Sequence, residues 1–175
     1  NNLAGLQRKQ SRFIEAEKGY ELALKRFQET LGKKHPSTLA VMNNLALTLE
    51  TQGLYDRAEP LYRKALKTSK SVLGEVHPTT IANMNNLAML YESQGTFDKS
   101  EPLYKETIDL LAGERGEEHP DTIAVKNNLG YLYLLQERND DAVELFEEVV
   151  LVWEEILGER HQKYMKGLNN LGRVN

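Results

Sequence analysis

The sequence contains no cysteine, which excludes disulfide scaffolds, thiolate zinc ligation and thiol nucleophiles. It has no long apolar run: stretches such as Val149–Trp153 reach about a quarter of a membrane span, so no membrane insertion is expected. No signal-peptide pattern opens it and no Asn-x-Ser/Thr sequon occurs, which points to a cytoplasmic protein. A basic excess is missing too. Lys and Arg number 22 against 26 Asp and Glu, a net charge of −4, the wrong sign for a dedicated nucleic-acid binder. HExxH, GxGxxG and Walker-type motifs are absent, so no enzyme activity, catalytic residue or cofactor is expected. What remains is 175 residues, 40% of them hydrophobic, enough for a substantial core.

The chain is filled by a repeat. Asn-Asn pairs stand at 1–2, 43–44, 85–86, 127–128 and 169–170, each step being 42 residues. The four histidines His35, His77, His119 and His161 keep the same step, as do Gly32, Gly74, Gly116 and Gly158. Residues 35–76 and 77–118 share 19 identities, so the chain is a tandem array and its fold is that of one unit repeated. Within a unit, His35-Pro36-Ser37-Thr38 reads as a helix start with proline near the first helical position. Leu39, Met42, Leu45, Ala46 and Leu49 then recur at helical spacing. Gln52-Gly53 breaks this helix A. A second helix B follows, with Tyr55, Ala58, Leu61, Tyr62, Ala65 and Leu66 on one stripe, running about 19 residues to Leu73-Gly74. Pro60 and Pro102 fall early in helix B, where a slight bend is expected. No segment alternates with period two. Small residues recur at one position of helix A (Ala46, Ala88, Gly130, Gly172) and one of helix B (Ala16, Ala58, Ser100, Ala142), letting helices approach closely. Such hairpins bury their apolar faces only by stacking.

Leu45-Ala46, Leu49 or Tyr91, Gly53, Tyr55, Ala58, Tyr62 and Ala65 resemble the tetratricopeptide (TPR) signature at a period longer than the usual 34 residues. His-Pro-x-Thr, Asn-Asn-Leu-Ala, Gln-Gly-x-Tyr/Phe-Asp and Ala/Ser-Glu-Pro-Leu-Tyr make it similar to the kinesin-light-chain-like subclass. The resemblance implies an all-α TPR superhelical solenoid of stacked antiparallel helix pairs. It would be a single array over 1–175: a partial repeat 1–34, full repeats 35–76, 77–118 and 119–160, and a partial repeat 161–175. Ser11 and Glu137 replace the turn glycine, Arg115 replaces a leucine, and Gly19 is expected to interrupt the first helix B. Asn1 aligns with Asn43 and Asn175 with Tyr133, so the chain reads as a piece of a larger protein. Its uncapped ends, exposing Leu3, Leu6, Leu168 and Leu171, are expected to favour self-association.

The histidines do not suit a metal site. Equivalent positions in stacked repeats lie on the order of 10 Å apart, whereas zinc ligands sit about 2 Å from the ion; each histidine is expected to shape a turn. No metal site is expected. Adjacent carboxylates such as Glu117-Glu118 and Asp140-Asp141 suit helix starts better than paired acid–base chemistry. At about 100° per residue, the side of helix A opposite its buried arc carries Asn44, Leu47 and Thr51, then Asn86, Met89 and Ser93, then Asn128, Tyr131 and Leu135, flanked by Asn43, Asn85 and Asn127. The resemblance makes that side the concave groove of the solenoid. Asparagine both donates and accepts, matching a peptide backbone without regard to sequence, while Leu47, Met89 and Tyr131 would select side chains. The alternative is that one Asn of each pair ties adjacent repeats together. Where some TPR domains clamp a terminal carboxylate, this chain has Ala40, Ala82 and Ala124, with Lys only at Lys166.

Charge is uneven: +4 over 1–36, +1 over 37–78, −5 over 79–120, −7 over 121–162 and +3 over 163–175. That dipole is either the solvated outer face of the B helices or a means of orienting a partner. The expected function is a protein-interaction module, a kinesin-light-chain-like adaptor that holds an extended peptide of a partner protein in its groove. The alternatives are the recognition arm of a larger NLR-like ATPase or caspase-like protease, and self-association through the open ends.

Overall fold

The structure, a computed structural model, describes residues 13–158 and 160–174. Among them are eight α-helices and no strand: α1 (Phe13–Thr30), α2 (Pro36–Thr51), α3 (Tyr55–Leu73), α4 (Pro78–Ser93), α5 (Phe97–Arg115), α6 (Pro120–Leu135), α7 (Asn139–Leu157) and α8 (Gln162–Leu171). The even-numbered helices are the A helices of the repeat and the odd-numbered ones the B helices. The chain forms two compact units, Asn1–Leu90 and Tyr91–Asn175, divided within α4. In the first, α2 packs on α1 and α3; in the second, α6 packs on α5 and α7, and α8 on α7. The expectations placed on Asn1, Leu3, Leu6 and Ser11 lie outside the described residues.

The helix boundaries follow from side chains that repeat every 42 residues. Each of the four histidines ends a connector with its imidazole Nδ1 accepting from the backbone N–H two residues on, at 3.1–3.2 Å. This satisfies one of the donors that a helix start leaves unpaired. The preceding glycines Gly32, Gly74, Gly116 and Gly158 have φ between 76° and 103°, a conformation that costs glycine nothing. Thr38, Thr80 and Thr122 close the same connectors by donating to the carbonyls of Gly32, Gly74 and Gly116 at 2.7–2.9 Å. In the tight A-to-B turn, Gly53 and Gly95 have φ of 74° and 70°. Glu137 takes their place with φ 60°, holding a left-handed backbone at about 1–2 kcal/mol.

One expectation fails here. Gly19 does not interrupt the first B helix: α1 runs unbroken from Phe13 to Thr30. A single helical glycine costs about 1 kcal/mol, and the buried Ala16 and Tyr20 on either side hold the helix through it. Helices α3 and α5 run on through Pro60 and Pro102.

The recurring small residues Ala46, Ala88, Ala58, Ser100 and Ala142 are fully buried. Beside them lie buried aromatics. The Tyr62 hydroxyl donates to Glu50 Oε2 at 2.8 Å and Tyr104 to Glu92 Oε2 at 3.1 Å, since a buried hydroxyl needs a partner. The third full repeat changes both members of this pair, to Phe146 and Leu134. It also carries Gly130 where the others have alanine, and a Cβ there would lie 2.8 Å from Phe146 Cε1. The glycine makes room for the ring.

Contacts between one repeat and the next differ from place to place. In the first unit Asn83 Nδ2 of α4 donates to Ser69 Oγ of α3 at 3.1 Å, and Ser69 donates to the Leu66 carbonyl. Both side chains are buried. The equivalent pairs are Phe27 with Val41, Leu111 with Val125 and Trp153 with Gly167. In the second unit the Trp153 ring packs with Ile123, Val149 and Tyr164 over Gly167, where a Cβ would meet Trp153 Cε3 at 3.4 Å and Val150 Cγ2 at 3.1 Å.

Lys126 stands where the earlier repeats bury Met42 and Met84. Its ammonium bridges Glu117 at 2.8 Å and Glu148 at 2.6 Å. Burial opposes its charge, but the two carboxylates outweigh burial and hold its pKa above the usual lysine range. Removing the lysine alone leaves both carboxylates, but they are 67% and 40% exposed, so water takes up their charge. The buried position meanwhile gains an apolar side chain that needs no desolvation of an ion. Lys126→Met should therefore leave stability unchanged or raise it by up to about 2 kcal/mol, measured by chemical denaturation. A loss of that size would show that the bridge is a net stabiliser.

Candidate protein-interaction face

The A helices divide into two sides. One is buried: Leu45, Ala46 and Leu49 in α2, Leu87, Ala88 and Tyr91 in α4, Leu129, Gly130 and Tyr133 in α6. The other stays accessible. Ala40, Thr51, Ala82, Met89, Ser93 and Leu135 are exposed, and Asn44, Leu47, Asn86, Asn128 and Tyr131 are partly exposed. Offsets of three and seven residues along a helix keep such side chains on one stripe. Within the first unit, α2 and α4 each contribute such a stripe, and α6 contributes one in the second.

The asparagines join repeats as well as lining them. In the first unit Asn86 Nδ2 donates to Asn43 Oδ1 at 3.0 Å. In the second, Asn170 Nδ2 donates to Asn127 Oδ1 at 2.9 Å. The second Asn of a later pair thus meets the first Asn of the pair before it, 43 residues away. That offset, one more than the period, was the available sign in the sequence, because adjacent side chains on a helix point about 100° apart. Asn127 is buried with its oxygen occupied, which takes it off the accessible stripe. Asn43 and Asn85 are half-buried, and the Asn85 amide lies 3.4 Å from Met89 Sδ. An asparagine side chain has two N–H donors and two acceptor lone pairs, so one bond leaves capacity on Asn86 for a ligand.

At the far end of the second unit the stripe changes character. Lys166 takes the place of Ala124, and Arg173 that of Tyr131. The Arg173 guanidinium sits 5.3 Å from the Tyr131 ring centroid, within cation–π range. On α8, Met165 and Leu168 are exposed, whereas Ile123 and Met84 at the matching positions are fully buried.

The A-to-B turn after α6 holds a charged cluster that the repeat pattern did not reveal. Arg138 donates to Asp141 at 2.7 Å, to Glu101 of α5 at 2.9 Å and to Gln136 at 3.1 Å, and lies 3.9 Å from the Tyr133 ring centroid. Tyr133 and Lys105 also bond Glu101. Burial would raise the Glu101 pKa, but Lys105, Arg138 and Tyr133 together bring it below the usual carboxylate range. In the first unit, Glu17 of α1 accepts from Gln52 at 3.0 Å and pairs with Arg57 at 2.8 Å. A B-helix glutamate thus holds the next turn in both units. No helix among the described residues is long and apolar enough to cross a membrane.

The model of the tetratricopeptide repeat matches residues 1–71, 48–113, 79–150 and 121–175. Among solved structures, the chain is similar to two of a protein assigned as a kinesin light chain from Podosopora anserina, with nearly identical TPR-like repeats, one of the two carrying a single substitution. Each is 25% identical over 99% of this chain and 82% of that one, with TM-scores of 0.85 and 0.83. It is also similar to BtubC (BKLC) from P. vanneervenii, 29% identical over 98% of this chain and 68% of that one, with a TM-score of 0.84. No curated protein matches the chain.

Proposed function

This chain belongs to the tetratricopeptide repeat family, and from that premise we propose that it is a protein-interaction scaffold holding an extended segment of a partner along the accessible side of its A helices. An adaptor of the kinesin-light-chain kind is the form that its structural neighbours suggest. The observation that carries the reading is the stripe itself. Leu47, Met89, Tyr131 and Leu135 stay accessible at fixed offsets beside Asn44, Asn86 and Asn128, while residues half a turn around each helix are buried. An extended peptide presents a donor and an acceptor at every residue. Asparagine amides can meet both, and the apolar side chains between them can contact the peptide's own.

The test uses a peptide recovered by display on the intact chain. Replacing Asn86 and Asn128 together with alanine should weaken its binding about 5- to 150-fold, from one net hydrogen bond per amide at about 0.5–1.5 kcal/mol each. Because Asn86 also bonds Asn43 and Asn128 has a partner of its own, the melt should shift by the equivalent of about 1–3 kcal/mol. If binding survives intact while melting collapses, the asparagines are staples and the groove assignment is wrong.

A further inference from the structure

The A helices are nearly free of charge in a chain that is 27% charged. α2 has one charged residue, α4 one and α6 two, against seven, eight and seven in α3, α5 and α7. The few that occur are turned elsewhere. Glu50 and Glu92 accept from the buried Tyr62 and Tyr104 hydroxyls of the B helices. Asp121 is paired with Arg115 of the preceding B helix. Lys126 is buried between Glu117 and Glu148. At the turn beyond Leu135, the Arg138 guanidinium is held by Asp141 and Glu101, and Glu137 is exposed. In the first unit the accessible stripes of α2 and α4 are left with small, amide and apolar side chains, whereas in the second the Arg173 guanidinium lies over the Tyr131 ring.

We infer that the segment bound along α2 and α4 of the first unit is itself uncharged: an extended run of several residues without Asp, Glu, Lys or Arg, carrying apolar side chains toward Leu47 or Met89. The inference rests on the groove reading above and adds the chemistry of the occupant. A charged side chain laid over this stripe loses water and finds no counter-charge, a cost that a neutral residue escapes. The peptide backbone, by contrast, keeps its hydrogen bonds through the asparagine amides. Recognition of this kind is insensitive to ionic strength, because screening weakens only interactions between charges.

The experiment is display of random peptides on the intact chain, retaining binders that the Asn86→Ala variant loses. Their central residues should be uncharged. Placing Glu or Lys at a central position of a retained peptide should weaken Kd about 10-fold or more, for either sign of charge. Raising NaCl from about 50 to about 500 mM should change Kd less than about 2-fold. Met89→Glu, at an exposed position, should then favour the Lys-substituted peptide and introduce a salt dependence. Retained binders rich in Asp and Glu, or in Lys and Arg, with affinity that falls steeply with salt, would overturn this inference and leave groove binding standing. If no binder is sensitive to the asparagine substitution, the groove reading fails and this inference with it.

Discussion

Replacing Leu45 and Leu87 together by alanine is expected to remove most of the stability of the chain. Both side chains are buried, at 5% and 4% exposure, on the core side of their A helices. Cutting a buried leucine to alanine costs about 2–5 kcal/mol, from lost transfer energy and the cavity left behind. The two positions belong to successive repeats, on the order of 10 Å apart from helix packing distances, so their costs should nearly add. The total, about 4–10 kcal/mol, compares with about 5–15 kcal/mol for a whole domain. Chemical denaturation of the single and double variants measures it. A control comes from the accessible side of the same helices: Thr51→Ala and Met89→Ala should each stay within about 0.5 kcal/mol. If the leucine and control variants melt alike, the division of the A helices into a core side and an accessible side is wrong.

Trp153→Ala should cost about 3–5 kcal/mol, concentrated in the second unit. The ring is 2% exposed and fills the space left by Gly167 between α7 and α8, so its loss opens a cavity that rigid helices close poorly. Its indole N–H is buried without a hydrogen-bond partner, a condition that costs about 1–3 kcal/mol. Trp153→Phe should therefore be much milder than Trp153→Ala, because the missing contacts are offset by removing an unpaired donor. Thermal melts of the two variants, with amide exchange of α8 as the local readout, distinguish them. Equal destabilisation by Phe and Ala would mean that the indole N–H finds a partner in solution.

The helix boundaries were legible because their causes are local. Histidine before proline, glycine at the end of helix B and Gln-Gly after helix A each act within a turn of where they stand, and the helices begin and end there. What the sequence hid depends on neighbours distant in the chain. Lys126 falls at a position whose equivalents are Met42 and Met84, and periodicity alone gives no account of how a cation can be buried there. Its carboxylates arrive from a connector and from α7. The Arg138 cluster was hidden for the same reason, since Glu101 lies 37 residues away. Gly19 misled in the other direction: propensity argued for a break, and the packing of Ala16 and Tyr20 outweighed it. The Asn pairs were legible as a feature and only half legible as contacts, because the pairing joins non-equivalent members of successive repeats.

The buried pair Ser69–Asn83 has a consequence at the level of the gene. Tandem units of equal length invite unequal crossing-over, which deletes or duplicates a unit without breaking the reading frame. Loss of residues 77–118 would preserve every helix length and every histidine cap, and Asn43 would still meet the second Asn of a pair, now Asn128. Ser69, however, would face Val125 instead of Asn83, and its hydroxyl would lose its buried amide neighbour. A duplication would set Leu111 against a second Asn83 and bury that amide against an aliphatic side chain. The duplication carries the cost of an unsatisfied buried amide, about 1–3 kcal/mol, whereas in the deletion Ser69 keeps its bond to the Leu66 carbonyl and loses only the amide's, although each unit in both is intact. The mismatched seams therefore give unit order and unit number a selective value of their own.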